Sequence, residues 1–163
     1  MASLMHPIMG VKNPVAYSKN NILATVINKK YVQISSDIAD LLIKRFNPKK
    51  PLSDSDFEAQ ANEIREHIGK DVVDRNANEL LNKMVDILGH MLRTNLFLED
   101  RYALGFRMDP AIMEDVGDVP YGLFFVHGRR FNGYHVRFRD IARGGMRLVT
   151  PLTEEQVSEN PAI

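Results

Sequence analysis

The residues best suited to bind an anion are concentrated in one short stretch of the chain. Between positions 127 and 147 the sequence contains six arginines and two histidines, but a single acidic residue, Asp140. Guanidinium groups present planar hydrogen-bond donors that match a carboxylate or a phosphate. A strand with a basic solvent-facing side would have the same composition without any ligand. The six arginines are Arg129, Arg130, Arg137, Arg139, Arg143 and Arg147.

A pair of glycines favours a binding site over a merely basic surface. Gly144 and Gly145 stand between Arg143 and Arg147. Because glycine has no Cβ, another molecule can approach its backbone closely. We therefore expect an anion site here, with either a carboxylate in a cleft or RNA on a wider basic surface as its ligand. A single Arg-Gly-Gly is weak evidence for RNA, since RNA-binding tails repeat it many times.

Three helices are predicted before this stretch. Apolar residues at helical spacing indicate a helix from about 36 to 46, after N-cap candidates at 35–37, and another from about 54 to 69. Ser55 and Glu58 have the spacing of a capping box for the second. The third and longest runs from about 72 to 97, and its Met84 and Met91 are expected in the core.

After residue 100 the apolar period changes from that of a helix to that of a strand. We predict strands over 102–108, 121–127 and 134–140, with the apolar run 123–126 buried on both faces. The Asn-Gly pair at 132–133 is typical of a tight hairpin turn, although Arg129, Arg130 and Phe131 before it leave the length of the loop open. The predicted fold class is α+β, with N-terminal helices followed by a small, mostly antiparallel sheet.

Residues 1–35 read as an irregular lead-in arm, in which 22–34 has a strand-like composition suited to one hairpin or one irregular strand. Residues 1–30 contain four lysines and no acid, a faint feature of transit peptides. We leave the compartment undecided between cytoplasm and mitochondrion.

Overall composition excludes several classes of protein. The chain has 163 residues, of which 44% are apolar, and 21 Lys and Arg balance 21 Asp and Glu. Such a chain can bury a core, and its net charge gives no general attraction to nucleic acid or to membranes. The absence of cysteine excludes disulfides, iron–sulfur clusters and thiolate zinc sites. We expect no bound metal and no nucleic acid as partner. We also expect no membrane, since no apolar run approaches the ~18 residues of a membrane span.

Four segments, in this order and spacing, resemble the large NAD-specific glutamate dehydrogenases: 93–97, 103–110, 120–126 and 133–147. The last contains the specific motif Phe-Arg-Asp-Ile-Ala-Arg-Gly-Gly-Met-Arg. The resemblance implies oxidative deamination of L-glutamate to 2-oxoglutarate and ammonia, with a hydride passing to NAD. It also implies that residues 36–163 are part of the substrate domain, with helices over 36–98 and the sheet over 102–150.

The resemblance implies roles for the residues around the glycine pair. Arg143 would bind a substrate carboxylate, and Gly144 and Gly145 would let the backbone approach the substrate. The expected supporting residues are Arg139, Arg147 and Asp140. His127 and His135 are more simply explained as strand histidines bonded to their neighbours than as ligands, and the Thr-Asn pair at 94–95 as structural.

Other family features have no counterpart in this sequence. The family's catalytic lysine follows the glycine motif, whereas the last lysine here is Lys83. A Gly-x-Gly-x-x-Gly fingerprint and the family's catalytic aspartate are also missing. We therefore expect a partial enzyme without the NAD-binding domain, active only within the full-length protein, which we expect to be a homo-oligomer. The alternatives are a non-catalytic dicarboxylate-binding or subunit-interaction module and, less favoured, an RNA- or anion-binding domain.

Overall fold

The computed structural model describes residues 2–10, 12–114, 119–128, 132–139 and 145–148, the last range for its backbone only. Helices come first in the chain and strands follow. The helices are α1 (Ala2–Met9), α2 (Lys19–Val26), α3 (Val32–Arg45), α4 (Asp54–Asp71) and α5 (Arg75–Gly89). The strands are β1 (Met91–Thr94), β2 (Ala103–Met108), β3 (Gly122–Gly128), β4 (Asn132–Arg137) and β5 (Gly145–Leu148), and a 3-10 helix spans Pro110–Met113.

The five strands form one sheet in the order β1-β2-β3-β4-β5. Each strand pairs antiparallel with its neighbour in sequence. The predicted α+β class with an antiparallel sheet after the helices is confirmed. Within the described ranges, no helix has both the length and the apolar character needed to cross a membrane.

The alternation of side chains along the strands gives the sheet two different faces. The inner face is apolar and joins the same buried cluster as the helices. The outer face carries basic residues, among them Arg107 and Arg137, which are exposed. The buried inner residues are Phe106, Met108, Leu123, Phe125 and Tyr134.

The helical layer is held by N-caps and by burial of one face of each helix. Ser53 caps α4 by accepting a hydrogen bond from the amide of Asp56 at 3.1 Å, and Asp74 caps α5 by accepting one from Ala77 at 2.8 Å. The guanidinium carbon of Arg45 lies 3.9 Å from the ring centroid of buried Phe57. Burial lowers the pKa of Arg45.

The first 35 residues are mostly helical, so the prediction of an irregular arm with a strand-like segment over 22–34 was wrong. Helices α1 and α2 and the start of α3 occupy this region. Ser18 caps α2 by accepting from the Asn21 amide at 3.3 Å, and Ile22 is fully buried. Because packing outweighs the weak strand preference of β-branched residues, composition alone misled the prediction.

The predicted helix over 72–97 was also wrong in its second half. Helix α5 ends at Gly89, and the chain then forms β1, whose Met91 pairs with Met108. Met91 is fully buried, as predicted, but by pairing with β2 and not by helical packing. The sheet therefore begins at 91 and not at 102.

Two smaller predictions about the strands were wrong. Asn132 and Gly133 lie inside β4, where they pair with His127 and Val126. The connection between β3 and β4 falls at 129–131, outside the described residues. The apolar run 123–126 is buried only at alternate positions, because the sheet has a single covered face.

The helix starts also differ from the prediction. Helix α3 begins at Val32, ahead of the N-cap candidates at 35–37. Helix α4 is capped by Ser53 and not through the capping box of Ser55 and Glu58.

Candidate functional site

The candidate site lies at one end of the sheet, where β4 ends and β5 begins. In the register of these strands, Gly145 is opposite Val136, and Arg137 is opposite Gly122 of β3. The segment between the two strands carries Arg143 and Gly144. The fold thus places the start of β5 next to the end of β4, as expected for a motif at the end of a strand.

The six predicted site residues are described to different extents. Gly145 begins β5, and Arg147 follows in the same strand at the position opposite Tyr134. Arg139 is exposed two residues after β4. Asp140, Arg143 and Gly144 lie outside the described residues. The roles of all six remain predictions.

Short backbone hydrogen bonds organise this end of the sheet. The amide of Tyr121 donates to the carbonyl of Arg137 at 2.6 Å, and the amide of Asp109 donates to the carbonyl of His90 at 2.7 Å. The Asp109 carboxylate also accepts from the Ala111 amide at 3.0 Å and starts the 3-10 helix. The Asp-Pro pair at 109–110 follows the strand predicted over 102–108, and the cap that Asp109 forms was not predicted.

The opposite end of the sheet is held by side-chain amides. Asn95 donates to the carbonyl of Ala103 at 2.9 Å and accepts from the amide of Gly105 at 2.7 Å. His127 Nδ1 is hydrogen-bonded to the Asn132 Oδ1 atom. These contacts confirm a structural role for Asn95 and the strand-neighbour interpretation of His127.

A buried tyrosine connects the sheet to the first helix. The Tyr134 hydroxyl donates to the carbonyl of Leu4, and burial raises the pKa of Tyr134. A second buried tyrosine, Tyr17, has its pKa raised to about 12, first by burial and then by a hydrogen bond to Glu79. Both hydroxyls are protonated at neutral pH and act as structural donors.

In the described part of the chain, cavities occur among the helices, away from the candidate site. One of about 290 Å³ lies between α1, α4 and α5, and its lining includes Arg65, Lys83 and Asp86. Asp86 makes ion pairs with Arg65 at 3.7 Å and with Lys83 at 3.4 Å. Among the residues that the structure describes, no three His, Asp or Glu side chains are grouped to hold a metal ion.

Comparison with known proteins places this architecture in the catalytic domain of a dehydrogenase. Residues 63–155 match the family model described as bacterial NAD-glutamate dehydrogenase, catalytic domain. The match includes the end of the helical layer, all five strands and the Arg-Gly-Gly motif. The chain therefore belongs to the NAD-specific glutamate dehydrogenase family.

Individual relatives agree with the family match. The chain is 33% identical over 143 residues to the NAD-specific glutamate dehydrogenase of Saccharomyces cerevisiae, covering 81% of this chain and 12% of the relative. It is 31% identical over 133 residues to that of Neurospora crassa, covering 80% and 12%. Glutamate dehydrogenase 2 of Dictyostelium discoideum is 35% identical over 100 residues, 60% of this chain and 10% of the relative. No solved structure matches the chain.

The chain thus spans about an eighth of the length of the fungal relatives.

Proposed function

We propose that this chain is part of an NAD-dependent glutamate dehydrogenase and supplies part of the domain that binds L-glutamate. The reaction is oxidative deamination of L-glutamate to 2-oxoglutarate and ammonia, with the hydride passing to NAD. The observation that carries the proposal is the family match over 63–155, which contains the Arg-Gly-Gly motif. The activity requires the full-length enzyme, because the catalytic lysine and the NAD-binding residues have no counterpart in this chain.

Arg143 is the proposed substrate-binding residue. Its guanidinium pairs with a carboxylate of glutamate through charge-assisted hydrogen bonds, which fix the orientation of the substrate as well as its affinity. Gly144 and Gly145 allow the substrate to approach the backbone at the start of β5. Correct orientation matters because hydride transfer requires the Cα–H bond to point at the acceptor. When bound, NAD supplies the hydride acceptor.

Arg139, Arg147 and Asp140 are proposed to support this site. Arg147 holds a position in β5 opposite Tyr134, and Arg139 lies two residues after the end of β4. From these positions they would hold the connection between the two strands and add positive charge around the carboxylate. We further propose that the full-length enzyme is a homo-oligomer and acts in the cytoplasm or the mitochondrion.

A chimeric enzyme tests the role of Arg143. Residues 63–148 of this chain replace the matching segment of the Saccharomyces cerevisiae relative, and Arg143→Ala is compared with the parent chimera. We expect kcat/KM for glutamate to fall about 30-fold, on the order of 2 kcal/mol for a lost charged hydrogen bond, with the KM for NAD unchanged. Arg143→Lys should restore part of the loss, because an ammonium group also pairs with a carboxylate.

The matched control is Arg75→Ala, which removes an exposed arginine at the start of α5. It should leave kcat/KM unchanged. Equal kcat/KM in the Arg143→Ala and parent chimeras would refute the site. If the parent chimera is inactive, calorimetric titration of 2-oxoglutarate into the 163-residue chain and its Arg143→Ala variant measures the same contact directly.

A further inference from the structure

The outer face of the sheet carries a row of basic side chains that crosses four strands. Arg93 of β1 is opposite Arg107 of β2. On the next strands, Phe124 of β3 is opposite Arg107, and His135 of β4 is opposite Phe124. With strands about 4.8 Å apart, this row is about 14 Å wide. Arg137 lies two residues beyond His135 on the same face. We call these five residues the outer basic face.

The two arginines at one end of the row face each other across an antiparallel pair. Like charges directly opposite in a sheet are destabilising. Arg93 and Arg107 are both exposed, and the described residues offer neither of them an ion pair. Arg107 contacts the ring of Phe124 instead, with its guanidinium carbon 6.0 Å from the ring centroid. Within the described residues, this pair of arginines therefore has an electrostatic cost that a bound carboxylate would remove.

Exposed apolar side chains lie beside the basic ones on this face. Phe124 is 39% exposed, and Val126 of the same strand is partly exposed. A partner that covers this face must therefore bring carboxylates to the arginines and apolar side chains to the surface between them.

We propose that the outer basic face docks an acidic polypeptide segment that carries apolar side chains between its carboxylates. The chain spans only about 12% of the length of its fungal relatives, so polypeptide that could supply such a segment is abundant in proteins of this family. The proposal does not depend on the dehydrogenase reaction, since none of the five residues of the outer basic face is among the predicted substrate-binding residues.

Single-stranded RNA suits this face less well than a polypeptide. RNA-binding surfaces stack successive bases on several free aromatic rings. Here Phe124 is the one phenylalanine or tyrosine on the described part of the face, and neighbouring side chains already contact its ring. Arg107 lies over the ring, and the His135 ring is tilted at 56° to it with centroids 6.2 Å apart.

Fluorescence anisotropy with a labelled peptide tests the docking surface. The probe is a peptide of sequence Glu-Leu-Glu-Glu-Leu-Glu, compared with Gln-Leu-Gln-Gln-Leu-Gln, titrated with the 163-residue chain. We expect the acidic peptide to bind and the glutamine peptide to bind at least about tenfold more weakly. Raising the salt from about 50 mM to about 300 mM should weaken binding of the acidic peptide, because exposed charges are screened.

Paired variants separate this face from general charge attraction. Arg93→Gln with Arg107→Gln should weaken peptide binding at least about tenfold. The control is Lys49→Gln with Lys50→Gln, which removes the same charge from the exposed loop before α4 and should leave affinity unchanged. Arg93→Gln alone should keep or raise the Tm, because it relieves the facing charges.

Three results would overturn the proposal. The first is no measurable binding of the acidic peptide to the parent chain, and the second is an equal loss of affinity in the arginine and lysine variants. The third is tighter binding of an oligouridylate of similar charge than of the acidic peptide, which would assign the face to nucleic acid.

Discussion

The two faces of the sheet are built from alternate residues of the same strands, yet their surroundings are opposite. Phe125 on the inner face is 2% exposed and packs in the common core, whereas its neighbour Phe124 on the outer face is 39% exposed. Tyr134 on the inner face reaches the backbone of α1, while the ring of His135 beside it lies near the ring of Phe124 on the outer face. One face supplies stability to the domain and the other supplies charge for interactions.

The largest expected effect comes from replacing one phenylalanine on the inner face by alanine and comparing it with the same change on the outer face. Phe125→Ala should lower the free energy of unfolding by about 3–5 kcal/mol, because it leaves a cavity in a packed core. Phe124→Ala should cost about 1 kcal/mol or less, because its ring is already partly in water. Urea unfolding of both variants measures the difference. Similar losses in the two would show that the outer face is as well packed as the inner one.

An intermediate effect is expected from the bond between the inner face and the first helix. Tyr134→Phe should lower the free energy of unfolding by about 1–3 kcal/mol, because the buried carbonyl of Leu4 loses its donor. The control is Tyr121→Phe, since Tyr121 is 73% exposed and its loss should have little effect. Thermal or urea unfolding measures both, and an equal loss in the two variants would contradict the structural role of Tyr134.

The same substitution has a defined pH dependence. Burial raises the pKa of Tyr134 above its ordinary value of 10.0. Above about pH 10 the unfolded state therefore releases a proton that the folded state retains, and stability falls as pH rises. Tyr134→Phe should flatten this fall without abolishing it, because Tyr17, with its pKa raised to about 12, also contributes. Parallel alkaline slopes in the parent and the variant would contradict this assignment.

The smallest effect tests the end of the sheet opposite the candidate site. Asn95→Ala removes hydrogen bonds to the carbonyl of Ala103 and the amide of Gly105. Because the site is only partly buried, water can replace some of these contacts, and we expect a loss of about 1–2 kcal/mol. Relative to the parent chain, the Asn95→Ala variant should show a larger increase in amide hydrogen exchange at Gly105 than at Phe125. Unchanged protection of Gly105 would mean that Asn95 does not hold β2.

Sequence patterns predicted the helices and strands whose buried side chains recur at a regular spacing along the chain. The helix expected from about 54 to 69 is α4, Asp54–Asp71, because one face of it is buried along its length. The alternation in β2 likewise predicted which of Phe106 and Arg107 is buried. Wherever one face of an element meets the core and the other meets water, the period is visible in the sequence.

Other elements depend on contacts between distant residues and could not be predicted in this way. The helical spacing of α5 continues past Gly89 into Met91, but that residue is buried by pairing with Met108. Residues 22–34 are rich in β-branched residues, but burial of Ile22 and Ile34 against the other helices determines their structure. In both cases the decisive partner lies far away in the sequence.

The sequence predicted the candidate site as a motif that follows a strand, and the roles of its residues stay predictions. Gly145 of this motif begins β5, opposite Val136 of β4. The hydrogen bonds that organise this end, from Tyr121 and Asp109, involve backbone amides. Because backbone hydrogen bonds do not depend on the side chain of the donor, no pattern of residue types could predict them.

The hydrogen bond from Tyr134 to Leu4 spans 130 positions of the chain. This contact joins the first helix directly to the fourth strand of the sheet. Removing the first ten residues would take the buried side chains of α1, among them Leu4, Met5 and Ile8, out of the common core cluster, so a shortened chain should expose more apolar surface and aggregate more readily than the parent chain.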